Sequence, residues 1–369
     1  MTFFSDNLPP EPFGQEPQRP SKARRVFGFT LLAIFVAGVL AASYLPSPYV
    51  IERPGPAFNV LGDSNNLPVI SVSGADTYNT DGALDLLTVN LLGNPTQTPS
   101  WFELLGAALD PSQNIIPLDE VFPPTATTAQ VDKQNALAFQ DSQQQATAVA
   151  LKALGYRYGK LTYIAGFGTD SPAKDLLKNN DVLLSIDGKP VSGILGVRKL
   201  VQAAKGQPVT VTYKRGDSTE SAVVTPFKDT KTGMWRLGVY VGTKYDFPIK
   251  VDLQLQDVGG PSGGTMFALG IYDKLTPGSL TGGQMIAGTG TIDETGTVGI
   301  IGGIRQKMYG AVRSGATWFL APAGNCNEVV GHVPSGLTVV SVKTFSDALK
   351  AAKQIGSTKS AAGLPTCKK

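Results

Sequence analysis

Hydrophobic positions along the chain fall into three textures. Before residue 46 lies one long apolar run, Val26 to Leu45 (VFGFTLLAIFVAGVLAASYL), 20 residues without a charge. Between residues 46 and 154 apolar clusters are short and widely spaced. Pro46, Pro48, Pro54 and Pro56 mark an extended linker. Val69-Ile70-Ser71-Val72 and Leu86-Leu87-Thr88-Val89-Asn90 read as strands. Residues 94–128 mix Pro, Thr and Gln and read as a long excursion. Gln140 to Leu154 then places Ala146, Val149, Ala150 and Leu154 on one helical stripe, with Gln143 to Gln145 toward water.

From Gly155 to about Phe227 the pattern predicts short strands and turns. Leu161 to Ala165 is a strand, and Ser171-Pro172-Ala173-Lys174 opens a short helix. Asp181 to Gly188 is a strand ending in an Asp-Gly turn. A helix near Leu195–Ala204 and a strand at Val209–Tyr213 follow. Beyond residue 227 come a strand at Phe247–Val251, an all-apolar helix at Thr265–Tyr272, and a strand at Met285–Asp293 broken at Gly288-Thr289-Gly290. A helix at Ile304–Gly315, strands at Ala316–Pro322 and Leu337–Val342, and a helix at Phe345–Ile355 complete the pattern.

At ~1.5 Å per residue the run Val26–Leu45 would span ~30 Å, the hydrocarbon thickness of a bilayer. Arg19, Lys22, Arg24 and Arg25 precede it, which puts the N-terminus inside and the bulk of the chain outside. Tyr44 and Tyr49 suit the outer interface. The competing reading is a cleaved signal peptide ending near Ala41-Ala42-Ser43. Both readings make the bulk extracytoplasmic, where Cys326 and Cys367 either pair or remain two thiols. Residues 1–25 are rich in Pro, Gln and Glu and read as a disordered tail.

Composition narrows the chemistry. The 369 residues are 42% hydrophobic and 17% charged, room for two ordinary domains with real cores, and the net charge of +3 argues for no particular partner. One histidine, His332, and two cysteines exclude most zinc sites. No Gly-x-x-x-x-Gly-Lys-Ser/Thr run is present to cradle ATP phosphates. No metal, cofactor or nucleic-acid partner is expected.

Two segments carry the remaining candidates. In Gly259-Gly260-Pro261-Ser262-Gly263-Gly264 a serine sits at the start of the buried helix, where free N–H groups and the dipole favour a developing oxyanion. Gly260 and Gly263 would let a substrate backbone approach. The alternative is a helix cap. On Ile304–Gly315 the apolar stripe is Ile304, Met308, Ala311 and Val312, with Arg305, Gln306, Tyr309 and Arg313 off it. Lys307 falls on the stripe. Burial lowers an amine's pKa and makes it a base for a serine hydroxyl; the alternative is a packed stem with its head in solvent. Thr289 either orients that amine or is an ordinary strand threonine. Asp257 is a weaker polar candidate. His332 as the partner of Ser262 is the other enzymatic reading.

Three motifs resemble the proteolytic domain of the Lon family: Gly260-Pro261-Ser262-Gly263-Gly264, with Gly263 where the family usually has alanine, then Thr289-Gly290, then Gly302-Gly303-Ile304-Arg305-Gln306-Lys307. The resemblance implies Ser262 as nucleophile, Lys307 as general base and Thr289 as the lysine-orienting residue. Ser171-Pro172-Ala173, Asn180 to Gly188 and Val209 to Gly216 resemble a PDZ domain of the bacterial protease-associated kind. That implies peptide recognition by strand addition, with the carboxylate-binding loop at Gly155-Tyr156-Arg157-Tyr158, which departs from the usual Gly-Leu-Gly-Phe. Together with the anchor, the chain is similar to membrane-anchored PDZ-containing Lon-like serine proteases of bacteria.

The expected architecture is α+β. A tail at 1–25 and an anchor at 26–45 precede a region at 46–154 that supplies early elements of the Lon-type fold. A PDZ domain at 155–228 is then inserted before the proteolytic segment at 232–356 and a C-terminal tail at 357–369. The expected function is ATP-independent cleavage of extracytoplasmic peptides or unfolded segments at the plasma membrane, with a hexameric ring implied by the family. The alternative is an inactive, membrane-tethered PDZ scaffold.

Overall fold

The computed structural model describes residues 22–123, 127–168, 171–230, 232–255 and 258–368. Helix α1 (Lys22–Tyr44) covers most of the apolar run. Among the described residues, however, no helix is long and apolar enough to cross a membrane. Residues 1–21 of the tail expected at 1–25, and the side chains of Arg24, Arg25 and residues 40–44, lie outside the described residues, as does Asp257.

Two sheets organise the rest. The first takes strands from both ends of the chain. Strand β1 (Tyr49–Asn59), β2 (Ile70–Ser73) and β3 (Ala83–Leu92) precede α2 (Trp101–Leu109), β4 (Asn114–Pro117) and α3 (Thr128–Ala153). The excursion at 94–128 therefore contains a helix and an edge strand, and α3 starts well before Gln140. Its Thr127 cap accepts from Gln130 N–H, and Gln130 returns the bond, a capping box that polar residues alone do not advertise.

The second sheet lies between α3 and the return to the first. It is built from β5 (Gly159–Phe167), β6 (Val182–Ile186), β7 (Val209–Arg215), β8 (Ser218–Val224) and β9 (Val239–Asp246), in the order β8-β7-β6-β5-β9, with α4 (Gly193–Ala203) packed on it. Ile164, Leu183, Val197, Val201 and Val211 fill its own core. The short helix expected at Ser171–Lys174 is a run of turns, in which Ser171 Oγ accepts from the Ala173 N–H.

The chain then returns through β10 (Lys250–Leu253), which pairs with β2, to α5 (Gly264–Lys274), β11 (Met285–Gly288), the hairpin strands β12 (Thr291–Ile292) and β13 (Val298–Gly299), α6 (Ile304–Arg313), β14 (Trp318–Pro322), β15 (Thr338–Val342) and α7 (Phe345–Thr358). The first sheet runs β15-β14-β11-β3-β1-β4, parallel from β15 to β3 and antiparallel beyond. Helix α5 is buried on nearly every side against α3, α7 and β3, as its unbroken apolar sequence requires. Cys326 and Cys367 form a disulfide. The segment after α7 packs back: Leu364 is buried and Ser341 N–H donates to Pro365 O.

Candidate active site

The site forms where α5, the β11–β12 connection and α6 meet. Ser262 lies two residues before α5, whose N-cap is Gly263. Pro261 precedes the helix instead of occupying its first turn. Among the described residues the N–H groups of Ser262 and Gly263 have no backbone partner, so both stand free at the positive end of a buried helix. A Cβ on Gly263 would strike Leu86 Cδ1 of β3, which explains glycine there. Gly260 has φ +81 and donates its N–H to Asn135 O at 2.9 Å.

Lys307 comes from one turn into α6 and is 2% exposed. Its Nζ lies 2.9 Å from Ser262 Oγ and 3.2 Å from Thr289 Oγ1. Thr289 donates its hydroxyl to the Ser262 carbonyl at 3.1 Å. Its one hydrogen is thereby used, so toward Nζ it must accept. A neutral amine then directs an N–H at Thr289 and its lone pair at Ser262. Burial pulls the Lys307 amine down to about 8, while the carboxylate of Glu52 acts the other way.

The face of α6 is broader than the stripe that periodicity predicts. Gln306 is also buried, whereas Val312 is 38% exposed. The helix is pressed against β1 and β3 on one side and touches β14 on another, so its inner face follows two contacts instead of one.

Two residues at this site were not singled out from the sequence. Glu52 of β1 is buried, and burial raises its carboxyl pKa against the attraction of Lys307 and the bond from Asn114. Gly303 makes room for it: the residue has φ +68, and a Cβ there would meet Glu52 Oε1 at 2.6 Å. Only the pairing of β1 with β3 brings Glu52 here, and no local pattern encodes that. Ser142 of α3 donates to Pro261 O at 2.9 Å and steadies the turn ahead of Ser262. Its position one turn before Ala146, on the buried stripe, was the available cue. The pocket beside Ser262 has a volume of about 120 Å³ and includes Phe58, Leu86, Val258 and Phe139. His332 is not part of this array; its Nδ1 lies 3.2 Å from Val330 O in an exposed turn.

The four residues expected to form a carboxylate-binding loop are not among those lining the apolar groove of the second sheet. Gly155, Tyr156, Arg157 and Tyr158 lie at the junction of the two sheets, where Tyr158 Oη donates to Ala148 O at 2.6 Å and its ring packs edge-on against Tyr245 and Phe247. The groove is elsewhere. It runs between α4 and β9, an edge strand, with a volume of about 340 Å³ and walls that include Ile194, Val197, Val201, Leu237 and Val241. An edge strand beside an apolar helix is the arrangement that accepts an added strand. The segment entering β9, Trp235-Arg236-Leu237-Gly238, in which Trp235-Arg236 pairs with Phe227-Lys228, follows the last strand of the PDZ-like pattern, whereas the expected loop was sought before its first strand.

Comparison with known proteins finds two families in the chain. Residues 163–215 match the family described as PDZ domain, and residues 229–354 match the Lon protease (S16) C-terminal proteolytic domain. The chain is 30% identical over 169 residues to the Lon protease of Geobacter metallireducens, covering 44% of this chain and 20% of the relative. It is 28% identical over 161 residues to Lon protease 1 of Bacillus subtilis, covering 42% and 20%. It thus spans about a fifth of the length of these relatives. The PDZ domain of an SdrC-like protein from Listeria monocytogenes is 27% identical, with 22% of this chain and 85% of that one covered and a TM-score of 0.20. The chain is a mixed α/β protein that contains a PDZ domain and a Lon protease C-terminal proteolytic domain.

Proposed function

We propose that this chain is a serine endopeptidase in which Ser262 is the nucleophile, Lys307 the general base and Thr289 the residue that orients the lysine. The observation that carries the reading is the 2.9 Å approach of a buried lysine amine, lowered to about 8, to the hydroxyl of Ser262. In the proposed reaction Lys307 takes the Ser262 proton as Oγ bonds to the scissile carbonyl carbon. The oxyanion is held by the free N–H groups of Ser262 and Gly263. Lys307 then gives the proton to the departing amine, and the C–N bond breaks to leave an ester on Ser262. Water, losing a proton to Lys307, attacks that ester; the acid departs and the proton returns to Oγ.

The PDZ groove would recruit extended peptides or unfolded segments by strand addition, with no ATP-driven unfolding, since this sequence carries no phosphate-cradling loop. We place the chain at the plasma membrane, anchored by Val26–Leu45 with its N-terminus cytoplasmic and its catalytic bulk outside. The uncharged run behind Arg19, Lys22, Arg24 and Arg25 supports that placement, and the Cys326–Cys367 disulfide suits an oxidising compartment. Flotation of the full chain with phospholipid vesicles tests the anchor. Cleavage of a peptide library by Ser262→Ala and Lys307→Ala variants tests the peptidase: both should be inactive, and undiminished cleavage by both would overturn it.

A further inference from the structure

One carboxylate joins the PDZ sheet to the hairpin that supports Ser262. Glu294 sits in the turn between β12 and β13, and two residues of the second sheet reach it. Lys160 of β5 makes an ion pair with it, and Tyr245 Oη of β9 lies 2.9 Å from Glu294 Oε2. Lys160 and Tyr245 are direct cross-strand neighbours. Glu294 therefore clasps a strand pair, not a single flexible side chain.

Both ends of this contact are fixed. Tyr245 stacks on Phe247 with centroids 5.2 Å apart, meets Tyr158 edge-on at 5.6 Å, and lies 3.1 Å from Gln145 Oε1 of α3. Gln145 is one turn beyond Ser142, which holds Pro261. On the other side, Asp293 Oδ1 accepts from the N–H groups of Thr295 and Thr297 at 2.9 Å each and shapes the turn. The strand β12 leads straight back to Gly290, whose N–H donates to the Ser262 carbonyl at 2.8 Å, and to Thr289, which bonds both Ser262 and Lys307. A shift of the turn at Glu294 is thus carried by a two-residue ladder to the atoms that aim Lys307 at Ser262.

We propose that Tyr245 and Glu294 are positioning residues for the Ser262–Thr289–Lys307 array, so that the PDZ sheet is part of the active-site scaffold; this rests on the peptidase reading above. The roles are distinct. Glu294 fixes the hairpin against the strand pair, and Tyr245 supplies the hydroxyl that sets the carboxylate's direction. Neither touches substrate.

The test uses the full-length chain, a short fluorogenic peptide and titration of Ser262 with a fluorophosphonate probe. Per labelled site, Tyr245→Phe should lower kcat by roughly threefold to tenfold, the effect of one ordinary, partly exposed hydrogen bond, with KM unchanged. Glu294→Ala should lose at least as much, and Glu294→Gln should recover part of it. A merely structural role would reduce the labelled fraction and the melting temperature but leave kcat per labelled site intact. Because Tyr245→Phe removes only a hydroxyl, it keeps the test valid if Glu294→Ala folds poorly. Unchanged kcat per labelled site in both Tyr245→Phe and Glu294→Ala overturns the proposal while leaving the peptidase reading standing. Absence of labelling at Ser262 in the wild-type chain overturns both.

Discussion

On the proposed reading the Ser262 array and the α4–β9 groove both meet the peptide, yet they are specified in opposite ways. The array depends on particular side-chain atoms: an amine at 2.9 Å from a hydroxyl, and a threonine whose hydrogen is already used. The groove depends on a free backbone edge flanked by interchangeable aliphatic walls such as Ile194, Val197 and Val201. Side-chain chemistry constrains residue identity and leaves a trace in sequence. A backbone edge constrains only shape, and many sequences provide it. The first region should therefore fail sharply on substitution, and the second gradually.

The sharpest break is Lys307→Met, which keeps the buried shape and removes the proposed base. Peptide cleavage should fall by about 10⁴-fold or more, as when one member of a catalytic unit is lost. The same change should raise stability at neutral pH. The folded chain holds the Lys307 amine near 8, against 10.5 in the unfolded chain. Between those values the unfolded state binds more protons, so stability rises with pH across that window, and below 8 the full cost of a buried charge is present. Removing the charge should recover about 3 kcal/mol at about 1.4 kcal/mol per pKa unit, read as a higher urea midpoint at pH 7 that converges with wild type above pH 10.

Next in size is Gly263→Ala. The added methyl meets Leu86 Cδ1, and overpacking a filled site costs about 1–3 kcal/mol. Denaturant titration should show that loss, and Leu86→Val in the same chain should restore part of it. In the groove, Ile194→Glu puts a charge on an apolar wall. It should raise KM for long unfolded substrates by about tenfold with little change in kcat, because on the proposed reading the groove binds and the array reacts. Smallest is Glu52→Gln. Glu52 raises the Lys307 pKa, so its loss should move the acidic limb of the pH–rate profile to lower pH by a fraction of a unit.

Legibility followed the same division. Lys307 stood out because a cation on an apolar helical stripe breaks the pattern, and the structure buries it beside Ser262. Glu52 was invisible because β1 reaches the site only by pairing with β3, across more than thirty residues of chain. Gln306 and Val312 were exchanged between inside and outside because α6 meets elements on two sides. The carboxylate-binding loop was expected at Gly155–Tyr158, before the first strand of the PDZ-like pattern, whereas the apolar groove lies along β9, after the last. Tyr158 is aromatic for another reason: it packs on Tyr245 and Phe247 where the two sheets meet.

The most direct test of the central claim is the rate at which a fluorophosphonate labels Ser262 as a function of pH, followed by intact mass. The rate should rise through about pH 8, with the Lys307 amine, and labelling should vanish in Ser262→Ala and in Lys307→Met. Equal labelling of Lys307→Met and wild type, or a pH-independent rate, would contradict the lysine's role as the base.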